Sequence, residues 1–167
     1  MVFNLIKKKR INLHMEKIDE TDLKILRILQ EDSKKTTKEI AEILNLTASP
    51  VYERIKRLEK QKLIQKYVAL IDKRKLGIQI TAICMVSLRY HNEGFIDKFE
   101  KQIKELKEVQ ECYHMAGKVD FFLKINLQNL DNYHEFVRSK LSKIENIGVL
   151  ESSFVLKEII SSTAYCI

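Results

Sequence analysis

The chain has 167 residues, of which 45% are hydrophobic, so it can form one mid-sized domain or two small ones without disulfides or metals. Its formal net charge is +7, but +4 of this excess lies in residues 1–14, while residues 15–73 carry +2 and residues 74–167 carry +1. No domain is basic throughout, so a role in binding nucleic acid would have to rest on a local patch.

Cysteine spacing and hydropathy exclude several other classes of protein. The three cysteines, Cys84, Cys112 and Cys166, are far apart and odd in number, which argues against a disulfide framework and against a zinc site. We expect them to be small buried side chains in a reducing compartment. No apolar run approaches the roughly 20 residues that span a bilayer, and the opening segment lacks a secretory signal pattern. The sequence therefore predicts a cytoplasmic protein with no membrane contact.

Residues 1–14 form a basic N-terminal extension. Four basic side chains, Lys7, Lys8, Lys9 and Arg10, occur there without any acidic residue. We predict that the extension is disordered. Its charges either contact phosphates or belong to a solvated tail, and the sequence leaves both alternatives open.

Two helices are predicted before residue 46. The first, over residues 20–31, has Asp19 or Thr21 as its N-cap and a broad apolar stripe. The second begins after Thr36, which forms a capping-box pattern with Glu39 three residues later. Its predicted apolar face consists of Ile40, Ile43 and Leu44.

The third predicted helix, over residues 48–60, has a proline in its first turn. Thr47, or else Ser49, is the expected N-cap, so Pro50 lies where backbone N–H groups have no intrahelical partner to lose. Between residues 48 and 66, six basic side chains stand against two acidic ones, a local excess of +4. Two helices joined by a short turn, the second with a polar exposed start, form a helix-turn-helix, whose second helix can enter a DNA major groove. The inward residues of this helix are Val51, Ile55 and Leu58.

After this helix, the hydrophobic pattern is no longer that of a helix. Residues 64–71 favour β-structure and are followed by a polar stretch and Gly77, so we predict a strand and linker over residues 64–78.

Residues 79–167 alternate between strand and helix periods. Gly117 with Lys118 is the signal for a tight hairpin between the second and third strands. The order β-α-β-β-α-β is that of a ferredoxin-like fold with both helices on one face of the sheet. Strands are predicted over residues 81–90, 109–117, 119–127 and 149–160, and helices over about 94–107 and 131–144.

The other face of this sheet needs a cover. Apolar residues on the bare face favour dimerisation with a second copy, which would also supply two helix-turn-helix units. The residues predicted for the bare face are Ile83, Met85, Phe121 and Leu123.

These motifs together resemble the Lrp/AsnC, or feast/famine, family of transcription regulators of bacteria and archaea. The resemblance runs from Met15 to the C-terminus and rests on IDETDLKILRILQED, TTKEIAEILNLTASPVYERIKRLEKQKLIQKYVALID and ECYHMAGKVDFFLKI. It implies an α+β protein with two domains. Residues 15–63 would be a helix-turn-helix, winged-helix-like domain that binds double-stranded DNA, and residues 79–167 a βαββαβ domain that senses amino acids and forms dimers and often octamers. Lys62 departs from the family, in which many members have glycine after the recognition helix.

The resemblance identifies residues 48–60 as the recognition helix. Its polar residues are expected to contact base edges and phosphates, and the alternative is a solvated helix face with intrahelical ion pairs such as Glu53 to Arg57. The predicted DNA-binding residues are Thr47, Ser49, Pro50, Tyr52, Glu53, Arg54, Lys56 and Arg57. Those expected at base edges are Ser49, Tyr52 and Glu53, and those expected at phosphates or base acceptors are Arg54, Lys56 and Arg57.

The resemblance also indicates an effector site. Gly117 and Asp120 match the Gly-x-x-Asp hairpin that borders the effector cleft between dimers in the family. An amino acid or related metabolite is the implied ligand, and no other cofactor is expected. Asp120 either engages the ligand or only accepts hydrogen bonds from turn N–H groups, whereas Gly117 is expected to supply a positive φ.

The leading functional prediction is a sequence-specific DNA-binding regulator, not an enzyme, whose assembly responds to an amino acid. One alternative is a haem-pathway decarboxylase of the same two-domain plan, with Tyr113, His114 and Arg138 as candidate groups for holding propionates. Another is an architectural protein that wraps DNA with little sequence preference.

Overall fold

The structure is a computed structural model that describes residues 17–167, so the predicted basic extension over residues 1–14 lies outside the described residues. The chain forms two compact units. The first ends at Ala69 and also includes Ser161–Ile167, and the second is Leu70–Ile160. The sequence predicts that residues 161–167 belong to the C-terminal domain, and in the structure they group with the first unit.

The first unit contains three helices, α1 (Glu20–Glu31), α2 (Thr37–Leu44) and α3 (Ala48–Lys60). Both predicted caps are present. Asp19 accepts a hydrogen bond from the Asp22 N–H at 2.9 Å, and Asp22 accepts one from the Asp19 N–H at 3.0 Å. Thr36 and Glu39 exchange the corresponding bonds at 3.3 and 2.6 Å. These reciprocal capping boxes satisfy backbone donors that a helix start leaves open.

A small apolar core joins the three helices. The prediction for Ile43 is wrong, because its side chain is 52% exposed and Ala41 is buried in its place. At about 100° per residue, Ile40, Ala41 and Leu44 face the same side of α2, while Ile43 lies on its flank. The buried core residues are Ile25, Ile40, Ala41, Val51, Ile55 and Leu58.

The chain leaves α3 through Lys62, which has a φ of 61° in the left-handed region. This conformation lets the N–H groups of Leu63 and Ile64 bond back to the Leu58 carbonyl at 3.0 and 3.2 Å. Left-handed backbone costs a non-glycine residue about 1–2 kcal/mol, so a lysine here carries strain that glycine would avoid.

We expect Lys62→Gly to leave the free energy of unfolding unchanged or to raise it by up to about 1 kcal/mol, because relief of strain is partly offset by greater entropy of the unfolded chain. Lys24→Gly, at an exposed interior position of α1, should instead lower it by about 1 kcal/mol. Chemical denaturation of both variants measures the difference, and equal losses in the two would show that Lys62 is not strained.

The connector between the units differs from its prediction. The structure assigns no strand to residues 64–72, and the first regular element is a short 3₁₀ helix, Lys73–Leu76, closed by Gly77 at a φ of 78°. The strand predicted over residues 64–71 is therefore absent from the single chain, because an extended segment becomes a strand only when a neighbouring strand accepts its hydrogen bonds. Its exposed apolar side chains include Tyr67, Val68, Leu70 and Ile71.

The last residues of the chain contact α1. Gln30 uses its side-chain amide twice, accepting from the Tyr165 N–H at 2.6 Å and donating to the Tyr165 carbonyl at 3.2 Å. Arg27, one turn earlier on α1, donates to the Ile167 carbonyl. These bonds to backbone atoms explain why Ser161–Ile167 groups with the first unit.

The second unit has the predicted order of elements: β1 (Ile80–Leu88), α4 (Glu93–Lys104), β2 (Val109–His114), β3 (Phe121–Leu127), α5 (Leu130–Ser139) and β4 (Ile147–Phe154). The strands form one antiparallel sheet in the order β2-β3-β1-β4, which confirms the ferredoxin-like fold. Several boundaries differ from their predictions. Both helices end early, α4 by three residues and α5 by five. The strand β2 stops at His114, β3 begins at Phe121, and β4 spans Ile147–Phe154 instead of residues 149–160.

The placement of Phe121 and Leu123 on the bare face is wrong. Both are fully buried in the core between sheet and helices. Directly opposed residues of antiparallel strands share a face, and Phe121 lies opposite the buried Val86, while Leu123 lies opposite the buried Cys84. The open face instead carries Thr81, Ile83, Met85, Ser87, Phe122 and Lys124.

Only one of the three cysteines has the predicted environment. Cys84 is buried, with its Sγ 3.5 Å from the Tyr133 hydroxyl and 3.4 Å from the Ser152 Oγ. Burial raises the pKa of Tyr133 to about 12. Cys112 and Cys166 are exposed, because one lies on edge strand β2 and the other in the C-terminal segment.

Candidate nucleic-acid interface

The first turn of α3 is built around Pro50. Thr47 is the N-cap residue with extended backbone, as predicted, but its hydroxyl makes no capping hydrogen bond. An N-cap side chain accepts from the second or third N–H of the helix, and the third residue here is Pro50, which has no N–H. The proline therefore removes one of the two donors that would otherwise hold the Thr47 hydroxyl.

The outer side of α3 is polar and exposed. The Lys56 ammonium lies 5.7 Å from the centre of the Tyr52 ring, within range of a cation–π interaction. Tyr52 is 48% exposed and Lys56 is also exposed, so the pair lies at the surface. Exposed predicted residues on this side are Thr47, Ser49, Pro50, Tyr52, Glu53 and Lys56.

The inner side of α3 carries the two arginines, and both bind Asp22 of α1. Arg54 donates to the Asp22 carboxylate at 2.9 Å and to Asp19 at 2.5 Å, while Arg57 donates to the other Asp22 oxygen at 2.5 Å. The Asp22 side chain is fully buried, whereas the arginine side chains are 28% and 31% exposed. Asp22 therefore fixes the position of the recognition helix relative to α1.

The charges in this cluster stabilise one another. The Asp22 N–H, followed by the Arg54 guanidinium, holds the pKa of Asp19 below its usual value. Hydrogen bonds to Asp19 and Asp22 in turn raise the pKa of Arg54. Asp19 and Arg54 thus stabilise each other's charged forms.

A second cluster holds Lys56. Its ammonium donates to Glu59 at 2.9 Å, and Glu59 also accepts from the Tyr67 hydroxyl at 3.0 Å. Burial, reinforced by the bond to Glu59, raises the pKa of Tyr67 to about 12. Lys56 keeps its charge in an exposed position, so its ion pair with Glu59 can exchange for another anion at little cost.

The eight predicted residues lie together along α3 and its cap, but they form two sets. Six are exposed and two, Arg54 and Arg57, are bound to Asp22. Sequence reasoning missed Asp19 and Asp22 as partners of these arginines, and treated the acids before and within α1 only as caps and dipole partners. The available signal was the pair of aspartates in IDETD, which precedes the pair of arginines in ERIKR.

The hairpin between β2 and β3 is wider than predicted. Six residues, 115–120, connect the strands, and Gly117 does not have the expected left-handed φ. A six-residue connection spreads the reversal over several residues, so no position requires φ > 0. A Cβ at Gly117 would meet no atom within 4 Å.

Asp120 ties this hairpin to the end of β1. Its Oδ2 accepts from the Leu88 N–H at 2.7 Å and lies 3.0 Å from His91 Nε2. In the described part of the chain, no donor is bonded to its Oδ1. Asp120 thus positions the hairpin through one oxygen and keeps the other available.

The residues considered for a propionate-binding cleft do not converge. Tyr113 lies opposite Phe122 and so shares the open face of the sheet, whereas the His114 ring stacks on Phe121 of the core face at 4.7 Å. Arg138 lies on α5 and pairs with Glu135 at 2.6 Å. This arrangement offers no common cleft for a porphyrin.

Within residues 17–167, no group of three or more His, Cys, Asp or Glu side chains is arranged to hold a metal ion. Over the same residues, no helix combines the length and apolar character needed to cross a bilayer.

Comparison with known proteins identifies both units. Residues 18–59 match the model of the AsnC-type helix-turn-helix domain, and residues 81–165 match that of the Lrp/AsnC ligand binding domain.

Two similar proteins are regulators. The transcriptional regulator AzlB of Bacillus subtilis is 33% identical over 83% of this chain and 88% of its own length. The Bkd operon transcriptional regulator of Pseudomonas aeruginosa is 30% identical over 90% of this chain and 98% of its own. A solved structure is also similar, that of the transcriptional regulator NMB0573 from Neisseria meningitidis in complex with L-Met. Its sequence is 30% identical to this chain, the TM-score is 0.86, and the match covers 90% of this chain and 97% of the NMB0573 chain.

These relatives are named as regulators of transcription and not as enzymes, which favours regulation over decarboxylation. The chain therefore belongs to the Lrp/AsnC family, as a DNA-binding transcriptional regulator built from an AsnC-type helix-turn-helix domain and an Lrp/AsnC ligand-binding domain.

Proposed function

We propose that the protein is a cytoplasmic, sequence-specific regulator that binds the major groove of double-stranded DNA with the exposed side of α3. We further propose that it responds to an amino acid bound at the β2–β3 hairpin. The observation that carries the DNA-binding part is the exposed polar start of α3, held on a rigid three-helix core by Asp22. A helix presented in this way can enter a groove about 12 Å wide.

The residues of α3 divide the work. Thr47 lies at the helix start, where hydroxyl and backbone N–H groups suit a phosphate. Ser49, Tyr52 and Glu53 face the bases, with Pro50 fixing the first turn. Lys56 contacts a phosphate when it exchanges Glu59 for DNA. Arg54 and Arg57 act chiefly by holding α3 on Asp22, and their remaining exposed surface reaches phosphates.

Salt dependence separates these roles. Lys56→Ala should reduce the slope of log affinity against log salt by about 0.9, the value for one phosphate contact, and should leave protein stability near that of the parent. Arg57→Ala should weaken binding to all sequences and also lower stability, because its bond to the buried Asp22 is lost. The slopes come from fluorescence anisotropy titrations at several salt concentrations.

Lys101→Ala, on α4 of the other unit, is the matched control for the loss of one exposed positive charge. Its slope should equal that of the parent. A Lys56→Ala slope indistinguishable from the Lys101→Ala slope would remove Lys56 from the phosphate contacts.

The effector proposal rests on the second oxygen of the Asp120 carboxylate, Oδ1, which accepts no hydrogen bond from the described residues. Because both of its contacts use Oδ2, Oδ1 is available to accept from a ligand ammonium. Gly117 adds open space beside the hairpin. An amino acid effector is supported by the family's ligand-binding domain and by the L-Met complex of NMB0573.

Asp120→Asn tests this site, because asparagine retains one acceptor for the Leu88 N–H while it removes the charge and replaces the second oxygen with an NH2 donor. For an amino acid that the parent binds, we expect affinity to fall at least about tenfold by titration calorimetry. Asp97→Asn, an exposed position on α4, should have no effect. Equal affinities in Asp120→Asn and the parent would exclude Asp120 from the ligand site.

We also propose that the protein forms homo-oligomers. The open sheet face carries Ile83, Met85 and Phe122, and residues 67–71 add further exposed apolar side chains. A second copy covering these surfaces would bury them and would present two recognition helices to an inverted repeat. The family's dimers and octamers make both assemblies candidates, which sedimentation can distinguish.

Selection of bound DNA from a random pool, repeated with a panel of amino acids, tests the whole proposal. We expect an enriched motif with inverted symmetry, and a change in affinity or assembly with one amino acid. Tight binding without any enriched motif would identify an architectural DNA-wrapping protein instead.

A further inference from the structure

The exposed side of α3 carries one stripe of polar side chains. Its members are separated by three, one and three residues along the chain, so at about 100° per residue they lie within an arc of about 100° around the helix. All of them are exposed, and the buried residues of α3 lie on the opposite side. This stripe is therefore the part of α3 that a DNA groove would receive. The residues of the stripe are Ser49, Tyr52, Glu53 and Lys56.

Glu53 is the acidic member of this stripe, and its carboxylate faces solvent. Within residues 17–167, no hydrogen bond or ion pair engages that carboxylate. The other acid of α3, Glu59, accepts from Lys56 at 2.9 Å, and Arg57 donates to Asp22 of α1 at 2.5 Å. These two basic neighbours thus bind other acids, and Glu53 presents a solvated negative charge on the side of α3 that faces outward.

A carboxylate on a DNA-facing surface is unfavourable unless a base offers it a hydrogen-bond donor. Duplex DNA carries one negative charge per about 1.7 Å of its axis, and a carboxylate that enters the groove also loses hydrating water. In the major groove, guanine presents two acceptors and thymine an acceptor beside a methyl group, whereas adenine presents its N6 donor beside the N7 acceptor. Cytosine presents its N4 amino donor without an acceptor on the same base. Cytosine is therefore the base that best compensates a carboxylate.

We propose that Glu53 specifies cytosine in each half-site of the bound DNA, by accepting a hydrogen bond from the cytosine N4 amino group. This role rests on the function proposed above, in which α3 enters the major groove, and it adds the identity of one base. Repulsion contributes as well as attraction, because the carboxylate meets acceptor atoms wherever guanine or thymine occupies that position. Lys56 attracts any duplex through its charge, whereas Glu53 distinguishes between sequences.

Glu53→Gln provides a direct test, because glutamine can donate to adenine N7 and accept from adenine N6 in the major groove. DNA bound by the full chain is selected from a random pool. The parent should enrich cytosine at one position of each half-site, Glu53→Gln should enrich adenine at the same position, and Glu53→Ala should enrich no base there. In fluorescence anisotropy, the parent should bind its selected site about tenfold more tightly than the site with adenine at that position, and Glu53→Gln should reverse this preference.

Affinity for random-sequence DNA separates a base contact from a structural role. Both Glu53 variants lack the charge that repels phosphates, so they should bind random DNA about two- to threefold more tightly than the parent. Their thermal unfolding should match that of the parent, because Glu53 is exposed and has no partner within residues 17–167. Glu31→Gln also removes one exposed negative charge from the first unit, and as the matched control it should retain the parent's motif.

The proposal is overturned if Glu53→Ala or Glu53→Gln keeps cytosine at every position where the parent selects it, or if the position that changes holds a base other than cytosine in the parent's motif. Such results would leave the sequence-specific function intact, since the parent would still have an enriched motif. Absence of any enriched motif for the parent would instead contradict that function, and with it the role of Glu53.

Discussion

The Asp22→Asn protein is expected to unfold its helix-turn-helix unit at a much lower temperature than the parent, with a loss of about 3 kcal/mol in the free energy of unfolding. Asparagine keeps the shape of the side chain and an acceptor for the Asp19 N–H, so the capping box can persist. What is lost is the negative charge shared by Arg54 and Arg57, together with the oxygen that accepts from Arg54, which becomes an NH2 donor. The loss should fall at the lower end for a buried pair, because both guanidiniums are partly exposed and can rehydrate.

Differential scanning calorimetry should show this change in the transition of the first unit, shifted by on the order of 15 °C. DNA affinity should fall together with stability at temperatures where the unit is partly unfolded. Glu31→Gln, an exposed carboxyl at the other end of α1, is the control and should shift the transition little. A parent-like transition in Asp22→Asn would mean that the arginines are held by other contacts.

A comparison of two adjacent phenylalanines should give the second large effect. Phe121→Ala is expected to cost about 3–5 kcal/mol, because the ring is fully buried against Phe99 and its removal leaves a cavity in the core. The Phe121 and Phe99 ring centres are only 4.3 Å apart, so an aromatic contact is lost as well. Phe122→Ala, on the open face, should cost the isolated chain far less.

Denaturant unfolding measures the loss of stability in each variant, and sedimentation velocity measures self-association. If the open face is the surface covered by a second copy, Phe122→Ala should weaken self-association while Phe121→Ala weakens folding. Similar losses of stability in both variants would contradict the register of β1 with β3, in which Phe121 faces the helices and Phe122 faces away.

The helices of the first unit could be predicted almost to the residue, because their signals are local. A cap, its partner three residues later and an apolar repeat lie within one segment, as Thr36 and Glu39 illustrate. The order of strands and helices in the second unit was predictable for the same reason, and it determined the fold.

The face on which each strand residue lies depends on distant partners. The run from Phe121 to Leu123 is apolar at every position, so period-2 alternation cannot say which side is buried. That choice is made by pairing with β1, about 35 residues earlier along the chain. Residues 64–71 have the composition of a strand, but whether they form one depends on a partner that the single chain does not provide.

The same limit applies to the site. The sequence predicted which residues lie along α3. It could not predict which of them are exposed and which are bound by Asp22, because Asp22 lies 32 and 35 residues from the two arginines. For the hairpin, the presence of Gly117 and Asp120 was visible in the sequence. The bonds from Asp120 to Leu88 and His91 required the folded sheet.

The composition of the first turn of α3 has an electrostatic consequence. Of the five α-helices within residues 17–167, the other four carry an acidic residue in their first turn, and α3 carries none. In those four helices the acids offset the positive end of the helix macrodipole, which is equivalent to about half an elementary charge. The recognition helix keeps that half charge where Thr47 and Ser49 face outward. Its attraction for a polyanion is therefore stronger than a count of lysines and arginines indicates.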